Sequence, residues 1–254
     1  MNKKSCLLLT HIHIYENEHF KLDILEYALK WYRKNNPKYH IILSGHGMRP
    51  NSSVEELCNS FIWSDTVIDN EVGRGHPIIV QRGIDKAISL GFKYIFKSRA
   101  DSIFITRNLP TYCSKILSAE NKELLVSYGT CSSNKWVGDL VTYCSAELLN
   151  KIWISDEWDY STNGLANLGR GLEKVFPNNA NSWIEYLRNN VVYKDPSTLT
   201  WIDLLGTHPH NQNRWLDISN ISKLDSDNYQ NYIWGNNWTN TPSDYITESV
   251  FYDK

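Results

Sequence analysis

Apolar positions in this chain fall into short runs and helical stripes that alternate over its first two-thirds. Cys6-Leu-Leu-Leu-Thr10 is an apolar run that passes into alternating His and Ile, so Ser5 to Ile14 predicts a strand. Phe20, Ile24, Tyr27, Ala28 and Trp31 share one face of a 3.6-residue period, which predicts a helix over Phe20 to Tyr32. Asn35-Asn36-Pro37 ends it. Tyr39 to Leu43 predicts a second buried strand, closing on Ser44-Gly45-His46-Gly47, where glycine permits a tight turn or the close approach of a ligand. Ser53-Val-Glu-Glu56 has the form of a helix-capping box, and Thr66-Val-Ile68 predicts a short third strand. Pro77 to Leu90 predicts a helix with proline in its first turn and Gly91 at its end.

A further strand runs through Phe96 into Lys97-Ser98-Arg99-Ala100-Asp101 and resumes as the short apolar run Ser102-Ile-Phe-Ile105. Pro110 to Leu117 predicts a helix, Leu124 to Tyr128 a strand, and Leu140 to Cys144 a strand that leads into a helix over Ala146 to Trp153. Helical spacing returns at Gly171 to Phe176 and at Ser182 to Asn189. From Asp195 to Lys254 the chain is rich in Asn, Asp, Trp and Tyr, with weak periodicity. Strands alternating with helices predict an α/β fold with a mostly parallel central sheet.

That order gives the triplet Arg99-Ala100-Asp101 its weight. A strand as apolar as Tyr94-Ile-Phe96 belongs in the middle of a sheet. In open α/β sheets ligands bind at the carboxyl ends of the strands. Ionisable groups there are costly to bury without a partner or ligand. An aspartate at such an end can bind a divalent metal that bridges a diphosphate. An arginine two residues earlier lies on the same side of an extended chain and can hold a phosphate with two hydrogen bonds. An internal Arg–Asp ion pair fits the triplet equally well.

Composition narrows the class. The chain has 254 residues, of which 41% are hydrophobic and 13% aromatic, so it can bury a large core. Its 10 Trp and 15 Tyr suit stacking on a sugar or nucleotide as well as they suit that core. The formal net charge of −2, with no Lys/Arg-rich run, argues against a nucleic-acid partner. No apolar segment approaches the ~20 residues that span a bilayer, and the short N-terminal apolar run is interrupted by His11 and His13, unlike a signal peptide. The expectation is a cytoplasmic protein, free or peripheral at a membrane. Five cysteines without a CxxC pair fit reduced thiols.

Other candidates are individually weaker. Asp139, in Trp136-Val-Gly-Asp139, precedes a strand and is either a catalytic carboxylate or a turn aspartate. Glu173 reads as a general base or a solvated first-turn residue, and Asp156-Glu157 poses the same choice. His208-Pro-His210 and His11-Ile-His13 have a spacing at which both rings can ligate a metal on a strand, although a structural histidine is the commoner case. The chain lacks GxxxxGK[ST], GxGxxG, GxSxG and HExxH, which argues against a P-loop nucleotidase, a dinucleotide oxidoreductase, a serine hydrolase and a zinc protease.

Taken in order, Ile41-Ile-Leu-Ser44, Gln81-Arg82, Tyr94-Ile-Phe-Lys-Ser-Arg-Ala-Asp101, Val137-Gly-Asp139 and Glu147-Leu-Leu-Asn-Lys-Ile-Trp153 resemble the WavE-type lipopolysaccharide-biosynthesis glycosyltransferases. Lys97-x-Arg99-x-Asp101 is similar to that family's counterpart of the DxD signature, with Arg99 where DxD has its first aspartate. The resemblance covers the first two-thirds of the chain. It implies a single GT-A-like domain over 1–254, with a nucleotide-sugar-binding half over 1–105 and an acceptor-binding half over 106–254. It implies transfer of a sugar from a nucleotide-sugar donor to a glycan acceptor, with a divalent cation, Mn²⁺ or Mg²⁺.

The implied donor-binding residues are Thr10, Ser44, Arg82, Arg99 and Asp101. Asp101 and His208 are the implied metal ligands, and Asp139 and Glu173 the catalytic carboxylates. Two rival expectations stand beside this one. The first is a non-catalytic carbohydrate-binding protein on the same fold, and the second is a metal-dependent phosphoesterase.

Overall fold

The computed structural model describes residues 4–14, 20–68, 75–104, 106–126, 141–153, 164–176, 192–193 and 201–203. The strand order is set by β1 (Ser5–Ile14), β2 (His40–Gly47), β3 (Ser60–Ser64) and β4 (Tyr94–Arg99), all mutually parallel. Three more strands complete the sheet: β6 (Leu124–Val126), β7 (Val141–Ser145) and β8 (Val192–Tyr193). The seven run in the order β3-β2-β1-β4-β7-β6-β8. β7 is antiparallel to both β4 and β6, while β6 and β8 are parallel. Between β4 and β6 lies β5 (Ser102–Phe104), which leaves the main sheet and pairs with β9 (Trp201–Asp203). The expected α/β fold with a mostly parallel central sheet flanked by helices is therefore the observed one.

The pleat of β1 shows why both faces need cover. Leu7 and Leu9 face a core shared with Ile24, Ala28 and Tyr32, whereas Cys6 and Leu8 face a core shared with Val80, Ile84 and Leu149. Each fully buried leucine contributes about 1.5–3 kcal/mol of transfer free energy. One face is covered by α1 (Phe20–Asn35), α2 (Ser52–Glu56) and α4 (Leu109–Glu120). The other is covered by α3 (Gly75–Ser89), α5 (Ala146–Ile152) and α6 (Gly164–Val175).

Several local features differ from expectation. The third strand is Ser60–Ser64 and not Thr66 to Ile68, because Phe61 and Trp63 give the outer strand its packing face. The cap of α2 is Asn51, whose side chain accepts from the Val54 amide, so Ser53 lies inside the helix. α1 runs three residues past Tyr32, and Asn35 and Asn36 then serve α4: the Asn35 carbonyl accepts from the Asn108 amide at 2.9 Å and Asn36 Oδ1 from the Leu109 amide at 2.8 Å. α6 begins at Gly164, ahead of the expected Gly171. The expected helix over Ser182 to Asn189 lies outside the described residues. The described cysteines, Cys6, Cys58, Cys113 and Cys144, are unbridged. Among the described residues no helix is long and apolar enough to cross a membrane.

The direction of α3 can be followed contact by contact. Near its start the Ile79 carbonyl accepts from Ser44 Oγ at the carboxyl end of β2. In its middle Gly83 lies against Leu8, so close that a Cβ there would be 2.2 Å from Leu8 Cδ1. Just past its end the Leu90 carbonyl accepts from Lys4 Nζ ahead of β1. The helix thus runs antiparallel to the strands, and its amino end lies at their carboxyl edge. Gly91, at φ +73°, then turns the chain back into β4.

Candidate active site

Strand register brings three of the sequence-predicted residues into one row. Thr10 is the partner of Ser44 on one side and of Arg99 on the other. The Ala100 amide donates to the Thr10 carbonyl at 2.8 Å, which carries the row one residue further. Both hydroxyls in this row are buried and engaged: Thr10 Oγ1 donates to the Ser98 carbonyl at 3.3 Å, and Ser44 Oγ to the Ile79 carbonyl at 2.6 Å. Ser44 therefore fastens α3 to the carboxyl end of β2, with its proton committed to the helix backbone.

At Ala100-Asp101 the chain turns instead of continuing as a strand. The turn folds Asp101 back onto Arg99. Arg99 Nε donates to Asp101 Oδ1 at 2.9 Å and Nη2 donates to Oδ2, a two-point charge-assisted pair. Ser102 Oγ adds a donor to Oδ1 at 3.3 Å. The Asp101 side chain is 2% exposed and that of Arg99 is 22% exposed, so the cation is the member of the pair that a solute meets.

α1 holds this turn in place. Tyr32 Oη donates to the Ser102 carbonyl at 2.7 Å and Trp31 Nε1 to the Phe104 carbonyl at 2.8 Å. Burial drives the Tyr32 phenol far above its ordinary pKa, the nearby Ser98 hydroxyl opposes this, and the Asp101 charge pushes the same way as burial. Tyr32 is consequently a neutral donor at any ordinary pH.

Aromatic rings line the β1–β3 side of the same edge. His11 stacks on Trp63 with centroids 6.3 Å apart, and Trp63 stacks on Phe61 at 5.5 Å. Gly45 makes room for this: a Cβ there would lie 2.3 Å from Trp63 Cζ3. Trp63 Nε1 donates to the Gly47 carbonyl at 2.9 Å. His46 Nδ1 accepts from the Ile68 amide at 2.9 Å, which places any single ring proton on Nε2. On β4, Lys97 is fully buried, with its Nζ 4.7 Å from the centroid of the Trp153 ring. The sequence reading passed over Phe61, Trp63 and the Lys97–Trp153 contact. The alternation Phe61-x-Trp63 was the available signal, obscured by placing the strand at Thr66.

The other expected site residues among those described lie on other elements. Arg82 is exposed on α3, beside Gln81, which donates to Asp85 and Asn150. Glu173 is half-buried on α6, a helix held so close to α5 that a Cβ on Gly171 would lie 2.5 Å from the Ile152 carbonyl oxygen. Asp139, Asp156, Glu157 and His208 lie outside the described residues.

The residues around Asp101 do not fit a divalent cation. Both carboxylate oxygens are occupied by Arg99, the neighbouring charge is positive, and no group of three or more His, Cys, Asp or Glu among the described residues converges as a ligand set. The turn instead gives the carboxylate a guanidinium partner. A cavity of about 610 Å³ lies at the opposite, amino edge of β4, lined by Tyr94, Tyr143, Ser118, Asn121, Lys122 and Lys151 among others, and none of the expected site residues among those described borders it.

No protein-family profile matches the chain, and no curated protein sequence does either. Among solved structures it is similar to a cytidylyltransferase from Leptospira borgpetersenii, with 14% identity, 76% of each chain covered and a TM-score of 0.42. It is similar to a glycosyltransferase involved in the glycosylation of the major capsid of PBCV-1, with 14% identity, 76% of this chain and 84% of that one covered and a TM-score of 0.44. A nucleoside-diphosphate-sugar pyrophosphorylase from Vibrio cholerae overlaps 74% of this chain and 91% of its own at 10% identity, with a TM-score of 0.41.

Proposed function

We propose that the protein is a glycosyltransferase of GT-A-like fold that moves a sugar from a nucleotide-sugar donor to a hydroxyl of a glycan acceptor. The observation that carries this reading is the meeting, at the carboxyl edge of β1, β2 and β4, of a buried polar row with the Arg99–Asp101 pair and the His11–Trp63 stack. This edge is where open α/β sheets bind ligands, and a cation beside flat rings suits a molecule that is part phosphate and part base. The resemblance of Lys97-x-Arg99-x-Asp101 to a transferase motif selects the nucleotide sugar within that chemistry.

In this reading residues 1–105 bind the donor and 106–254 the acceptor. The acceptor oxygen attacks the anomeric carbon while the bond from that carbon to the diphosphate oxygen breaks. Electrons pass to the departing nucleoside diphosphate, and the acceptor proton passes to a carboxylate, Asp139 or Glu173. Thr10 and Ser44 fix the strand ends and the start of α3 beneath the donor. Arg82, exposed on α3, meets the outer part of the donor or the loop that covers it.

A thermal-shift screen of nucleotide sugars, with and without Mn²⁺, tests the reading. One donor should raise the melting temperature and undergo slow hydrolysis. Stabilisation by free glycans with no donor response would point to a carbohydrate-binding protein. Release of phosphate from simple phosphoesters would point to a phosphoesterase. An Asp101→Ala variant with full transfer activity would remove this edge from the mechanism.

A further inference from the structure

We propose that the cavity at the amino edge of β4 is a second binding site, for a neutral segment of carbohydrate, separate from the candidate active site. Tyr94 opens β4 and Arg99 closes it, so at ~3.3 Å per residue the two edges lie about 16 Å apart along the strand. The cavity's volume of about 610 Å³ falls within the ~300–1,000 Å³ of small-molecule sites. One of its walls is aromatic. Tyr94 is half-buried and stacks on Tyr143 with centroids 6.0 Å apart, while Tyr143 is 1% exposed and its Oη lies 3.5 Å from Ser5 Oγ. The inner tyrosine thus backs the outer one and keeps its ring in place. A ring held in this way takes the apolar C–H face of a sugar with little further loss of side-chain freedom.

The rim supplies partners for sugar hydroxyls. Ser118 and Asn121 come from the carboxyl end of α4, and Ser145 from the end of β7, where its Oγ accepts from the Leu148 amide at 3.1 Å and keeps its own proton to donate. The Ser118 and Asn121 side chains are exposed and have no hydrogen-bond partner among the described residues. Asn121 closes α4 at φ +51°, a left-handed position that glycine takes at lower cost, so the turn itself has no need of the amide. Charge on the lining is balanced: Lys122 and Lys151 are matched by Glu123 and Glu147, and Lys151 Nζ donates to Glu147 at 2.8 Å. The carboxyl end of α4 adds partial negative charge. An anion therefore gains no net attraction here, whereas an uncharged polyol meets donors, acceptors and a ring. The choice of a glycan among polyols rests on the transferase reading above. Within that reading, a chain held here adds avidity for a long acceptor without touching the donor.

The test follows the ¹H–¹⁵N spectrum of the full chain as cellotetraose, maltotetraose, chitotetraose and mannotetraose are added to millimolar concentration. It compares the wild type with Asn121→Gly and Ser118→Ala. Glycine suits the left-handed position and alanine suits a helix, so both variants should keep their stability in urea unfolding. At least one oligosaccharide should shift the Asn121 side-chain amide, identified by its absence from the Asn121→Gly spectrum. Each variant should weaken that oligosaccharide about fivefold, the scale of one neutral hydrogen bond. Neither should alter the thermal shift produced by a nucleotide sugar. An Asn121 amide that responds to none of the four would overturn the inference, while the nucleotide-sugar response still judges the transferase reading separately. Binding that neither substitution weakens would overturn the assignment to this cavity. Tighter binding of tetragalacturonate, fading as salt is added, would overturn the neutral class of ligand.

Discussion

Replacing Arg99 with methionine tests the energetic core of the candidate site. The substitution keeps much of the side chain's length and apolar stem and removes the guanidinium. Asp101 would be left 2% exposed, holding only the Ser102 hydroxyl of its present side-chain donors. Breaking a buried pair by deleting one partner costs about 3–5 kcal/mol. Arg99 is 22% exposed, so water reaches part of the pair and the expected cost is about 2–3 kcal/mol. For a chain of this size that corresponds to a fall in melting temperature of about 5–10 °C. Urea unfolding at neutral pH and low salt measures it. The companion variant Arg99→Met with Asp101→Leu removes both charges, and most of the loss should be recovered because no unpaired charge remains. A single variant within about 0.5 kcal/mol of wild type would refute the pairing as a structural element. So would a double variant in which the two single losses simply add.

Three further outcomes follow from the same geometry. Gly83→Ala should destabilise by about 1–2 kcal/mol in urea unfolding, because overpacking against Leu8 outweighs the gain in helix propensity; a more stable variant would show that α3 lifts off the sheet at no cost. His40 titrates below its ordinary 6.5 because of burial first and then the charges of Arg33, Lys4 and Lys86. The folded state therefore binds fewer protons than the unfolded state just below that pH, so stability should fall as pH drops through 6.5, and His40→Asn should flatten this slope in pH-dependent melting curves. Burial pushes the Cys6 and Cys58 thiols up to about 12 and those of Cys113 and Cys144 higher still. Peptide mapping after iodoacetamide treatment at pH 8 should find these four unmodified in the native protein and modified in urea; rapid native labelling of Cys6 would contradict the packing of β1.

Much of the element list was legible because hydrophobic period is a local property. β1 was bounded correctly at both ends, and α1, α3, β4, β7 and α5 were each recognised from apolar spacing with Gly or Pro punctuation. The third strand was misplaced because it is short and lies on the outer edge of the sheet, where half-buried residues such as Phe61 and Trp63 blur the alternation. β5 read as a continuation of the strand through Phe96, yet it belongs to a different sheet, since its partner β9 lies about a hundred residues away in sequence.

What the sequence determined by itself was the alternation of strands and helices and the arrival of an Arg and an Asp at the carboxyl end of a buried strand. Those facts rest on side-chain polarity and near-neighbour spacing. Only the tertiary structure decided that Thr10, Ser44 and Arg99 share one row, because register depends on the pairing of segments distant in the chain. It also showed the Arg99–Asp101 ion pair, which the sequence left level with a ligand site because an extended chain would have pointed both side chains outward together. The turn at Ala100-Asp101, tied down by Tyr32 of α1, instead directs the carboxylate onto the guanidinium.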